Sequence, residues 1–248
     1  TMKVAIYIRP TDEEMALQLP GLVEALNKQK IDIVLLQNLP VNSHLLAQNI
    51  PYIENAKELD TTVDFLISLG GDGTMLDAVT LVKDKNIPIL GINFGRLGFL
   101  AGIGKNDLAS AVDALVNGTY LIDKRSLIHV EADSPLFSGM PFALNEFALH
   151  KRDLSPMIKI HTYLNGEFLN TYWSDGVIVS TPTGSTGYNM SCNGPIIFPE
   201  SGSFVITPIA PHTLNIHPTV VPDNHFISFE IEGRIDKFIY LFMIRRQS

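Results

Sequence analysis

Apolar positions fall into two successive regimes along the chain. In the first half, solid apolar runs at residues 4–8, 31–36, 63–69 and 87–92 read as strands buried on both faces. Between them apolar residues recur at helical spacing. Met15, Leu19, Leu22, Val23 and Leu26 form one stripe, and Leu108, Val112, Leu115 and Val116 form another. Thr11 followed by Glu14 has the form of a capping box, and Pro20 predicts a kink or a delayed helix start. A further helix is expected from near Thr74; Asn106 is placed to cap the last one and Gly118 to stop it. Apolar strands alternating with helices predict an α/β N-terminal domain, a largely parallel sheet covered on both faces.

After about Tyr120 the period shortens to two. Runs at 127–132, 142–151, 157–164, 167–173, 177–180, 204–209 and 225–232 read as strands. Asn165-Gly166 between two of them is a two-residue hairpin signal, since both residues tolerate positive φ. A mainly antiparallel β C-terminal domain is therefore expected. The boundary falls near 119–125, giving domains 1–122 and 123–234. Residues 235–248 form a C-terminal segment placed to return to the first domain.

Composition narrows the function classes. The chain has 248 residues, of which 46% are hydrophobic and 18% charged, a globular balance long enough for one large or two small cores. A net charge of −8 without any Lys/Arg cluster argues against nucleic acid or an anionic membrane surface as the partner. The one cysteine, Cys192, fits a reducing compartment, and no apolar run is long enough to span a bilayer, so a cytoplasmic location is expected. Thr1 ahead of Met2 reads as the remnant of a cleaved tag, with Met2 the natural start. The histidines show no metal-ligand spacing, so no protein-held metal is expected.

Four segments carry candidate chemistry. Gly70-Gly71-Asp72-Gly73-Thr74 leaves an apolar strand and enters a helix, where free N–H groups and the helix dipole favour phosphate oxygens. Its glycines let the backbone approach a polyanion, and the single carboxylate suggests a base or a metal partner; a plain tight turn would have the same composition. Asn93-Phe94-Gly95-Arg96-Leu97-Gly98-Phe99-Leu100 follows another strand, at the sheet end where open α/β folds bind ligands. Leu144-Asn145-Glu146 puts an amide and a carboxylate inside an apolar strand, and a diol would satisfy both; the alternative is a pair facing water. Asp175 and the hydroxyl-rich run from Thr181 to Tyr188 supply small donors on a turning backbone, with Tyr188 able to stack on a base.

In order and spacing, these segments resemble the NAD kinase family across about residues 60–222. GGDGT alone is shared with phosphofructokinase-like and diacylglycerol-kinase-like enzymes, whereas the TPTGSTGY run behind Asp175 is far more specific. The resemblance implies a Rossmann-like, phosphofructokinase-like first domain and transfer of the ATP γ-phosphoryl group to the adenosine ribose 2′-hydroxyl of NAD. It implies Asp72 as the catalytic base, with Gly70, Gly71 and Gly73 turned to the phosphates and Asn145 and Glu146 gripping ribose hydroxyls. Asp175, Thr186, Tyr188 and Ser191 would wall the adenine or nicotinamide end, and Phe99 would pack on a ring. Asn93, Gly187, Asn189 and Met190 complete the implied cofactor-binding set. A divalent cation, Mg²⁺ carried with ATP, and a homodimer or homotetramer are implied as well.

Two residues depart from the family pattern: Gly187 stands where Ala is usual, and His217 where Arg is usual. Residues 232–248 are also short against the family, which implies missing segments near residue 234 and beyond residue 248. The rival readings are a lipid or sugar-phosphate kinase sharing GGDGT, and a catalytically silent NAD(P)-binding regulator. The first two would want basic membrane-facing or phosphate-binding clusters that the sequence does not display.

Overall fold

The computed structural model describes residues 1–36, 50–53, 58–96, 98–132, 140–152, 156–213, 215–232 and 240–246. The chain divides into two compact units, Thr1–Ile122 and Asp123–Ser248.

In the first unit, strands β1 (Lys3–Tyr7), β2 (Asp32–Leu36), β3 (Tyr52–Ile53), β4 (Phe65–Leu69) and β5 (Ile89–Ile92) form one parallel sheet in the order β3-β2-β1-β4-β5. Alternation along each strand divides its side chains between two cores. Val4, Ile6, Ile33, Leu35, Phe65 and Ile67 pack on one face, while Ala5, Tyr7, Val34, Leu36 and Leu66 pack on the other. The first face is covered by α1 (Glu13–Ala16), α2 (Leu19–Lys28) and α4 (Leu108–Asn117), through Met15, Leu22, Leu26, Val112 and Leu115. The second is covered by α3 (Asp72–Val82) through Ala78 and Val82. Leu22 and Leu26 are fully buried, so truncating either to Ala would cost about 2–5 kcal/mol.

Helix ends depart from expectation by a residue or two. The α1 cap is Asp12, whose Oδ1 accepts from the Met15 N–H at 3.1 Å, so Thr11 caps nothing. Pro20 lies in the first turn of α2, the delayed start that its missing N–H favours. Helix α3 begins at Asp72 rather than near Thr74. A 3₁₀ turn, Lys105–Asp107, precedes α4, so Asn106 is not its cap; Gly118 ends the helix in the left-handed region at φ 66°.

The second unit holds two antiparallel sheets. β6 (Ile128–Ala132), β7 (Phe142–Ala143), β9 (Ile158–Leu164), β10 (Glu167–Ser174), β14 (Ile227–Glu232) and β15 (Tyr240–Arg246) form one, in the order β10-β9-β14-β15-β6-β7. β8 (Glu146–His150), β11 (Gly176–Ser180), β12 (Ser203–Ile209) and β13 (Thr219–Pro222) form the other, in the order β13-β12-β11-β8. Ile128, Ile160, Tyr172, Ile227, Phe229 and Ile244 from the first sheet share a core with Phe147, Val177, Val179, Phe204 and Ile206 from the second. The Asn165-Gly166 hairpin joins β9 to β10 with both φ values positive, 51° and 84°.

Three differences from the sequence reading matter. The expected strand 142–151 is broken into β7 and β8, with Leu144 and Asn145 in the gap. β13 is a strand that the apolar pattern does not predict. The C-terminal segment does not return to the first domain in its described part: residues 240–246 are β15, paired on both sides by β14 and β6 of the second unit. Arg246 fixes its end by pairing with Asp223, Nη1 to Oδ2 at 3.2 Å, and the buried Asp223 also accepts from Ser126 Oγ at 3.0 Å. Residues 233–239, with the expected break near residue 234, and Leu97 and Leu214 lie outside the described residues.

Candidate active site

The phosphate-type turn forms where β4 ends. Gly70 adopts φ 145°, which favours glycine, and its N–H donates to the Ile92 carbonyl at 2.8 Å, fastening the turn to β5. A β-carbon there would also stand 3.0 Å from Thr74 Cβ. Gly71 occupies the α3 cap position in an extended conformation, so Asp72 is the first helical residue. The N–H groups of Asp72 and Gly73 point out of the first helical turn without intrahelical acceptors.

The Asp72 carboxylate is held by the segment after β5. Oδ2 accepts from the Phe99 N–H at 2.9 Å, and Oδ1 accepts from Leu100 at 2.9 Å and Ala101 at 3.2 Å. Oδ1 carries two donors and Oδ2 one, leaving Oδ2 free to accept another. Gly98 is placed so that any β-carbon would collide with this carboxylate. The glycine turn and the Asn93–Leu100 segment are thus one piece of machinery.

Phe99 is 73% exposed, so its ring is not core; its main chain serves Asp72 and its side chain is available to a ligand. Asn93 is buried, and its amide is occupied locally: Oδ1 accepts from Gly95 N–H at 2.9 Å and Nδ2 donates to the Arg96 carbonyl. Its part is to shape the loop.

In the second unit, the gap between β7 and β8 receives the hydroxyl-rich loop. Thr181 N–H donates to the Asn145 carbonyl at 2.9 Å, Thr181 Oγ1 donates to the Leu144 carbonyl at 2.5 Å, and that same oxygen accepts from Gly184 N–H at 3.0 Å. The loop then makes a 3₁₀ turn, Thr183–Thr186, and one helical turn, α5 (Tyr188–Ser191). Gly187 brings this loop to the two polar side chains. A β-carbon on it would stand 3.3 Å from Glu146 Oε2 and 3.8 Å from Asn145 Nδ2.

Glu146 Oε2 is buried and has no hydrogen-bond partner among the described residues. Burial pushes its carboxyl above the ordinary range. Thr186, half-buried, and Tyr188, Met190 and Ser191, exposed, lie on the same loop; the Tyr188 ring stacks on His150 with centroids 5.7 Å apart. Asp175 pairs with Lys151, Oδ1 to Nζ at 2.7 Å.

The Asn189 side chain is fully buried and spent on the protein: Nδ2 donates to the Ser185 and Pro195 carbonyls, each at 3.0 Å, and Oδ1 accepts from Thr207 Oγ1 at 2.6 Å. This side chain braces the loop. Ser185 and Thr181 are likewise buried within the loop. His217 is exposed.

Sequence reasoning missed three cations. Arg9 reaches the glycine turn, donating from Nη2 to the Gly73 carbonyl at 2.9 Å. Lys151 pairs with Asp175, and Arg125 Nη1 donates to Thr183 Oγ1 at 3.2 Å. Only for Arg9 was a signal present, because it directly follows the first strand, at the ligand-binding end of the sheet.

The same two halves are found in comparison with known proteins. Residues 20–120 match the family model of the ATP-NAD kinase N-terminal domain, and residues 144–242 match that of the ATP-NAD kinase C-terminal domain. The NAD kinase of Cytophaga hutchinsonii is 46% identical over 242 residues, 96% of this chain and 82% of that one. That of Flavobacterium psychrophilum is 42% identical over 243 residues, covering 96% and 83%. Among solved structures, an NAD kinase from Archaeoglobus fulgidus in complex with ATP superposes with a TM-score of 0.77 at 26% identity, covering all of this chain and 91% of that one. Yeast NADH kinase complexed with NADH has a TM-score of 0.83 over the whole chain and 80% of its own, at 20% identity, and so bears on the fold. The chain belongs to the NAD kinase family.

Proposed function

We propose that this NAD kinase transfers the γ-phosphoryl group of ATP to the 2′-hydroxyl of the adenosine ribose of NAD, giving NADP and ADP. The oxygen–phosphorus bond to the ribose forms as the β–γ bridge breaks, and the hydroxyl proton leaves to a base. The observation that carries the acceptor reading is the buried Oε2 of Glu146, which has no partner among the described residues and faces Gly187 as the Asn145 amide does. An ionised carboxylate left without donors is costly, and a ribose diol is a donor of the right kind.

Asp72 takes the catalytic role. Phosphoryl transfer through a loose transition state asks for alignment more than for a strong base. The three N–H donors fix the carboxylate, and Oδ2 keeps acceptor capacity for a hydroxyl. Gly70, Gly71 and Gly73 let the turn approach the donor phosphates. Asn145 and Glu146 hold ribose hydroxyls, while Thr186, Gly187, Tyr188, Met190 and Ser191 border the base, with Phe99 against a ring. Asp175 acts together with its partner Lys151.

Among the described residues no group of three or more His, Cys, Asp or Glu side chains could hold a metal. We read the divalent cation, Mg²⁺, as arriving on the ATP phosphates, where it would neutralise phosphate charge. Ile196 and Phe198, 64% and 84% exposed, supply apolar area of the kind a homodimer or homotetramer covers. No helix of the described residues is long and apolar enough to cross a membrane. The test is to incubate the chain with ATP, Mg²⁺ and NAD and assay NADP. Phosphorylation of a diacylglycerol or a sugar phosphate instead, or binding of NAD without turnover, would replace this reading.

A further inference from the structure

Arg9 follows β1, the central strand of the first unit's sheet, at the same carboxyl end of the sheet as the Gly70–Thr74 turn. Its guanidinium is clamped. Nε donates to Asp77 Oδ2 at 2.5 Å, and Nη2 donates to Asp77 Oδ1 at 3.1 Å and to the Gly73 carbonyl at 2.9 Å. The Tyr7 hydroxyl gives Asp77 Oδ2 a further donor at 3.3 Å. Burial and then the Asp77 charge push that phenol up to about 12, so it stays a donor across the working pH range.

This arrangement spends the Nε and Nη2 hydrogens and leaves Nη1 without a partner among the described residues. Nη1 lies 2.7 Å from where a β-carbon of Gly73 would stand. Glycine at 73 therefore makes room for the guanidinium, beside the first-turn N–H groups that have no intrahelical acceptor. The Arg9 side chain is 42% exposed, so an anion can reach it. A planar fork, oriented beforehand by a carboxylate, suits a phosphate oxygen and loses little freedom on binding one.

We propose that Arg9 binds the terminal phosphates of the phosphoryl donor, and that Asp77 and Tyr7 are positioning residues acting through it. The inference rests on the reading of the Gly70–Thr74 turn as the donor-phosphate site. The chemistry it recognises is an oligophosphate tail, whether of ATP or of an inorganic polyphosphate.

The test is steady-state NADP formation by the whole chain and by Arg9→Gln, Arg9→Lys and Asp77→Asn, with tripolyphosphate and adenosine as inhibitors. Arg9→Gln should raise the KM for ATP by about 10- to 100-fold while the KM for NAD stays within about twofold. Inhibition by tripolyphosphate should weaken by a similar factor and inhibition by adenosine should not change. Arg9→Lys should recover part of the loss, and Asp77→Asn should show a smaller rise of the same kind. An unchanged KM for ATP in Arg9→Gln overturns the proposal. So does an equal rise in both KM values, or a parallel loss of adenosine inhibition, because either marks a general structural role. Should Arg9→Gln not fold, Arg9→Lys decides, since it keeps the charge and loses the fork; a wild-type KM for ATP would then refute the proposal. A wild-type chain that forms no NADP refutes the function reading instead, and calorimetric binding of tripolyphosphate to wild type and Arg9→Gln still decides the role of Arg9.

Discussion

Gly184 packs against the main chain of Asn145: a β-carbon at 184 would overlap the Asn145 carbonyl and stand 2.7 Å from its Cα. The hydroxyl-rich loop and the Asn-Glu pair, distant in sequence, are thereby one assembly. Backbone obstructs the added methyl group, so neither side can yield cheaply. Gly184→Ala should destabilise the protein by about 1–3 kcal/mol or more and raise the KM for NAD. Gly102→Ala is the matched control, because a β-carbon there meets nothing within 4 Å, and its effect should stay within about 0.5 kcal/mol. Thermal unfolding and NAD kinetics read both; equal behaviour of the two variants would contradict the packing argument.

The Glu146 carboxyl gives a pH prediction with a definite sign. Burial raises it above its ordinary value of 4.5 in the folded chain. Its contribution to stability is therefore full below that ordinary value and is lost as pH rises through the raised one. A diol donates to the ionised form, so NAD binding should tighten over the same rise in pH. Calorimetric Kd values for NAD should show this dependence in wild type, and Glu146→Gln should flatten it and weaken binding by roughly 1–3 kcal/mol. An identical pH profile in both proteins would place the titration on another group.

Asn189 should behave as a brace. Asn189→Ala removes an amide that makes three buried hydrogen bonds and strands Thr207 Oγ1 and two carbonyls. A loss of roughly 2–4 kcal/mol is expected in chemical denaturation, with NAD affinity falling only as the loop loosens. A variant of wild-type stability with lost NAD binding would restore Asn189 to the ligand wall.

What the sequence made legible is what local chemistry encodes. Apolar runs and helical stripes locate the parallel sheet, and the glycines around Asp72 locate the turn: Gly70 takes a φ of 145° that few other residues adopt, and Gly73 leaves room for the Arg9 guanidinium. The bracing of Asp72 depended on Phe99, Leu100 and Ala101 donating main-chain N–H groups, which any residue types could supply. Beyond its place after β1, nothing local to Arg9 marks its role, because its partners Gly73 and Asp77 are 64 and 68 residues away. Thr181 and Asn189 fasten the loop, and small polar residues carry the same sequence signature whether they face a substrate or hold a loop in place. The short strand β13 was hidden by Thr219 and Pro222, which dilute its apolar pattern.

Single-turnover phosphoryl transfer from ATP to bound NAD tests the proposed action of Asp72 on the acceptor hydroxyl. With saturating ATP and Mg²⁺, wild type should form NADP, and Asp72→Asn should do so at least ~100-fold more slowly, with a Kd for NAD within about twofold of wild type. NADP formation by Asp72→Asn at the wild-type rate would contradict the account.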